Sequence, residues 1–160
     1  MATIKETIDE IKQYPKKEIK NAINAAVNGV EVTITAANII AMNGTPVNVI
    51  AAPGAGYAIQ YLSSSLVYDY DTATFGGGGD VTLEYTGGAA VSTTVAAANS
   101  FGAAGDKVYT MEALNAAGGY TMPVNTGLDI TNATGAFTNP GTAAGVGRLT
   151  ITYRLIATGL

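Results

Sequence analysis

Three aspartates near the middle of the chain, Asp69, Asp71 and Asp80, form an acidic cluster. Carboxylates gathered at the end of a hairpin can hold a calcium ion, and two of them held close together can share acid and base roles in glycoside hydrolysis. The spacing here matches no known calcium loop, and nothing in the surrounding sequence marks one carboxyl for a raised pKa. We read the three as ordinary hairpin-end carboxylates, with a metal site as the lesser alternative and no cofactor expected.

Other routes to catalysis are closed by composition. The chain has no histidine and no cysteine, which removes the commonest general base, the nucleophile pairs built on histidine, and the ligands that zinc requires. Gly76 to Gly79 is glycine-rich but lacks the Lys-Ser/Thr of a phosphate-binding loop, and it is read as a hairpin loop joining two strands. The sequon Asn132-Ala133-Thr134 matters only in a secreted eukaryotic protein, of which there is no sign. The expectation is a protein that is not an enzyme.

Tyrosine is the remaining residue type with binding potential. Tyr57, Tyr61, Tyr68, Tyr70 and Tyr85 crowd one stretch, where an exposed stripe of rings could stack on sugars or fill an interface. With no tryptophan and three phenylalanines in the chain, the rings are expected in the core or a subunit interface.

The elements that must position these residues are strands. From Pro46 to Tyr85, apolar residues recur at every second position: Tyr57, Ile59 and Tyr61, then Leu66, Tyr68 and Tyr70, then Val81, Leu83 and Tyr85 against Asp80, Thr82, Glu84 and Thr86. A period of two marks strands with one dry face. The same alternation recurs at Val30–Ile34, Val47–Val49, Val91–Val95, Val108–Met111, Leu128–Ile130 and Leu149–Leu155. Thr35 is placed to cap a short helical turn through Ile39-Ile40, and Asn43-Gly44 marks a tight turn. About eight short strands with Gly- and Asn-marked turns predict a mainly β chain, an antiparallel β-sandwich of jelly-roll type over residues 29–160. Ile59, Leu83, Ile151 and Tyr153 are expected between its two sheets.

Residues 1–28 differ. Thr3 and Glu6 have the form of a capping box, and Ile4, Ile8 and Ile11 follow at helical spacing. Pro15 interrupts the pattern. A second stripe of Ile19, Ile23 and Val27 with Ala22 and Ala26 then runs to an expected helix stop at Asn28-Gly29. These residues predict an amphipathic helical arm, and its stripe is the candidate contact for oligomerisation or for a larger partner. Folding back on its own sandwich is a third use. The arm carries a net charge of +1 and the rest of the chain −5, together the −4 of the whole. The acidic body repels nucleic acid, and the arm's lysines are mixed with acids as on a solvated helix face.

Charged residues make up 12% of the chain, about half the usual share, so part of the surface is expected to be covered by other subunits. No apolar run nears the ~18 residues that span a bilayer, and the charged N-terminus does not look like a signal peptide. The chain is expected to be made in the cytoplasm.

Several segments taken together resemble small β-sandwich accessory proteins of tailed-bacteriophage virions. They are Ile34–Ile40, Thr45–Val47, Ala52–Gly56, Val67–Asp71, Val81–Tyr85, Asn125–Leu128, Asn132–Thr138 and Leu149–Arg154; the arm lies outside them. The resemblance implies a structural protein of the virion, a capsid decoration or head-fibre protein, often trimeric, that binds the major capsid protein or other virion proteins on the capsid surface. The alternative is a receptor- or carbohydrate-binding module of a phage tail or fibre.

Overall fold

A computed structural model describes Glu18 and residues 26–114, 121–138 and 145–158. In chain order the elements are β1 (Val27–Ile34), α1 (Ala36–Ala41), β2 (Val47–Ile50), β3 (Tyr57–Asp69), β4 (Gly76–Gly77), β5 (Val81–Tyr85), β6 (Lys107–Glu112), β7 (Leu128–Asn132), β8 (Phe137–Thr138) and β9 (Val146–Ala157). A 3-10 turn occupies Ala97–Asn99. The chain is mainly β, and every ladder is antiparallel.

The strands form a four-stranded sheet in the order β1-β9-β3-β6, a three-stranded sheet in the order β2-β7-β5, and a two-stranded ribbon of β4 with β8. The first sheet is built on two long strands, the 13 residues of β3 and the 12 of β9. Their inward positions pair across the ladder: Ile59 with Leu155, Tyr61 with Tyr153, Ser64 with Ile151, Leu66 with Leu149. The register shifts between Tyr61 and Ser63, which is a β-bulge. One extra residue reverses the side to which later side chains point. The inward set therefore moves from odd numbers (59, 61) to even ones (64, 66, 68), and what alternation suggests as two strands is one.

One cluster of buried residues draws on both larger sheets, with Ile59, Leu66 and Ile151 from the first and Leu83, Leu128 and Ile130 from the second. Ile59, Leu83 and Ile151 are fully buried as expected, whereas Tyr153 is only half-buried at the edge of the cluster. Thr35 caps α1 as expected: its Oγ1 accepts from the Asn38 amide at 3.2 Å, and the Asn38 carboxamide accepts from the Thr35 amide at 3.1 Å.

Three expectations are corrected. Gly76 to Gly79 is not a hairpin loop, because β3 pairs with β6 and β9 while β5 pairs with β7. Gly76 and Gly77 instead pair with Thr138 and Phe137. Gly78 has a φ of +75°, and a Cβ on it would run into the Phe137 ring, while one on Gly79 would overlap the Ala133 carbonyl. The run is glycine because two pieces of chain pass too close for side chains. Second, Asn28-Gly29 stops no helix: Val27, Asn28 and Gly29 are already in β1, opposite Arg154, Tyr153 and Thr152. The ladder offers those backbone groups partners that a local turn does not. Third, Val91–Val95 forms isolated bridges at Val91's neighbours Ala90 and Ser92 and at Val95, not a strand. Ser92 Oγ accepts from the Leu83 amide there, so a side chain replaces a rung of the ladder.

Candidate functional site

The tyrosines of the central stretch point mainly into the protein. Tyr61, Tyr68 and Tyr85 are at most 2% exposed, while Tyr57 and Tyr70 are half-buried. The Tyr61 hydroxyl donates to the Met111 carbonyl at 2.5 Å and lies 2.8 Å from Ser64 Oγ. The Tyr85 hydroxyl donates to the Ile59 carbonyl at 2.6 Å. Burial pushes the Tyr61 phenol up to about 12, with the Ser64 hydrogen bond acting the other way. Tyr68 is also raised, by burial first and by Tyr70 second. All three phenylalanines join it: Tyr68 meets Phe101 edge-on with centroids 5.7 Å apart, and Phe101 meets Phe137 at the same distance. Phe75 lies 6.5 Å from Tyr68 and 6.4 Å from Phe137. Such offset and edge-on contacts favour a fixed core.

The fold gives Asp69 and Asp80 separate tasks. Asp69, at the end of β3, lies 3.6 Å from Arg148 of β9, with both side chains about half exposed. Asp80 accepts from the Ala97 amide at 3.3 Å and so ties the start of β5 to the 3-10 turn. Asp71 is exposed. Among the described residues no group of three or more acidic side chains is placed to hold a metal ion.

A different carboxylate pair is assembled by the fold. Glu84 of β5 and Asp129 of β7 are direct partners across the ladder. Asp129 is 5% exposed, and its Oδ1 accepts from Asn48 Nδ2 at 2.8 Å and from Thr86 Oγ1 at 3.0 Å. Glu84 is held above its ordinary pKa by burial and, secondarily, by the Asp129 charge. Alternation alone puts Glu84 on the wetter side of its strand. Only the register of β5 against β7 shows which residue it faces.

Beside this pair lie two shallow hollows of about 310 and 320 Å³ that share Thr86 and Thr126. One is bounded by Asn48, Asn125 and Gly127, the other by Tyr85, Gly88 and Pro123. Asn125 adopts a φ of +54° and accepts from the Gly54 amide at 2.9 Å, which pins the floor of the first to the turn before β3. Their chemistry is neutral: amides, hydroxyls and small apolar groups.

Ile4, Ile8, Ile11, Ile19 and Ile23 of the arm lie outside the described residues. Val27, the last residue of that stripe, opens β1 and is 54% exposed. No helix among the described residues is long and apolar enough to cross a membrane.

No protein-family model and no curated protein matches the chain. Among solved structures, a chain of the cyanophage Pam1 capsid asymmetric unit is similar to it at 20% identity and a TM-score of 0.38, over 81% of this chain and 83% of that one.

Proposed function

We propose that this chain is a non-enzymatic structural protein of a bacteriophage virion, a capsid decoration or head-fibre protein that binds the capsid surface as a homo-oligomer. The observation that supports it is where the phage-like segments fall. Val67–Asp71 closes β3, Val81–Tyr85 is β5, Asn125–Leu128 leads into β7, Asn132–Thr138 carries the chain from β7 through β8, and Leu149–Arg154 is the middle of β9. Within them the Tyr85 hydroxyl bonds its sheet to the four-stranded one, and the Asn125 side chain accepts from the turn before β3. The finer architecture we propose is a jelly-roll-like sandwich, with the two larger sheets facing across the shared cluster that Tyr85 bridges.

The arm is the assembly device in this reading. Ile4, Ile8 and Ile11 are spaced four and three apart, as core positions of a heptad are, and isoleucine at both kinds of position favours three strands over two. A helix of about ten residues is marginal alone, so the arm draws stability from a trimer or from the capsid shell. Because β1 begins at Val27, the deletion that tests this ends at residue 25. If the shortened chain stays folded and trimeric in light scattering but no longer binds capsids, the arm is an anchor. If it becomes monomeric, the arm is the trimer seam; if it unfolds, the assembly role is lost. A gene position beside the major capsid protein supports the head assignment, and one beside tail genes supports the receptor-binding module. The neutral amide and hydroxyl lining of the two hollows favours that second reading to the extent that it suits a hydroxyl-rich ligand, and glycan-array binding by the isolated protein tests it.

A further inference from the structure

Glu84 and Asp129 stand directly opposite each other on adjacent antiparallel strands. Side chains so placed have Cβ atoms about 4.5–5.5 Å apart, and like charges there oppose the pairing. Among the described residues nothing charged faces them. β2 presents Asn48, and β5 and β7 carry no other charged residue. Residues 51–56, 86–95 and 121–127, which adjoin the pair, are all uncharged. Among the described residues the two carboxyls are therefore left to each other.

The two are not equivalent. Asp129 is nearly buried and accepts two hydrogen bonds on one oxygen. Glu84 has no side-chain hydrogen bond of that kind among the described residues. We propose that Glu84, set opposite Asp129 on the neighbouring strand, acts as a pH-sensitive latch on the three-stranded sheet, opposed by Asp129 while charged and closed when it takes up a proton. The two groups that hold Asp129, Asn48 and Thr86, also line one of the adjoining hollows, so the latch borders it.

The raised pKa of folded Glu84 agrees in sign. A carboxyl that binds its proton more tightly when folded contributes stability that is complete below its unfolded value, near 4.3, and lost as pH rises through the higher folded value. The latch thus closes as pH falls toward the ordinary glutamate range.

Side-chain carboxyl NMR on the full chain tests this, together with melting of Glu84→Gln. The expected result is a Glu84 midpoint above the ordinary glutamate range that falls in Asp129→Asn, as loss of a charged neighbour requires. Glu84→Gln should melt several degrees above the wild type at pH 8, with the difference closing toward pH 4. Should Asp129→Asn fail to fold, the melting comparison decides alone. An equal melting temperature at pH 8, or a Glu84 midpoint indifferent to Asp129→Asn, overturns the proposal. So does calcium chloride raising the wild-type melting temperature at pH 8 but not that of Glu84→Gln, since the pair would then be a cation site.

Discussion

The phenol of Tyr85 on β5 donates a 2.6 Å hydrogen bond to the main-chain carbonyl of Ile59 on β3, so a side chain of the three-stranded sheet is bonded to the backbone of the four-stranded one. Both residues are buried, at 2% and 0% exposure. A hydrogen bond made out of water between two sheets fixes their relative position in a way that apolar contact alone does not.

Removing that hydroxyl tests the tether. Tyr85→Phe keeps the ring and is expected to cost about 1–2 kcal/mol in denaturant unfolding. Leu83→Ala, two residues away on the same buried side, is expected to cost about 2–5 kcal/mol through lost contact and the cavity it leaves. A Tyr85→Phe protein as stable as the wild type would show that the bond does not hold the sheets together.

Close passage of the chain at Gly79 predicts a second effect. A Cβ there overlaps the Ala133 carbonyl, whereas one on Gly44 meets nothing within 4 Å. Gly79→Ala should lower stability by about 1–3 kcal/mol or more, the range for overpacking, and Gly44→Ala should be near neutral. Equal melting temperatures for the two variants would contradict the close approach of Gly79 to Ala133.

Alkaline pH acts through Tyr61. Its folded pKa of about 12 lies above the ordinary phenol value of 10.0, so its contribution to stability is complete below pH 10 and lost as pH rises through about 12. The melting temperature of the wild type should fall across that window, and that of Tyr61→Phe should fall less steeply. Phenolate absorbance recorded alongside should show Tyr61 ionising only as the protein unfolds.

The exposed ion pair of Asp69 with Arg148 should matter little. Asp69→Asn is expected to cost less than about 1 kcal/mol, the usual worth of a solvated pair, and Asp71→Asn no more. A chelator should leave the melting temperature of the wild type unchanged. A drop of several degrees would mean that metal binding is coupled to folding and would restore the calcium reading of the aspartates.

The mainly β character, most strand positions and the burial of Ile59, Leu83 and Ile151 follow from local alternation alone, because a period of two with one dry face has few other solutions. Thr35 and Asn38 define their cap within four residues, so that too is legible from the chain. Even the bulge leaves a trace, in the change from odd to even positions between Tyr61 and Ser64. Partners are another matter. That Gly76–Gly77 meet Phe137 and Thr138, that Asn28 enters a ladder with Tyr153, and that Glu84 faces Asp129 are all contacts between residues far apart in sequence. Alternation states which side of a strand a residue occupies but not which strand lies beside it. Pairing is decided by how the whole set of apolar faces can be buried at once, which is a property of the assembled sheets and not of any segment.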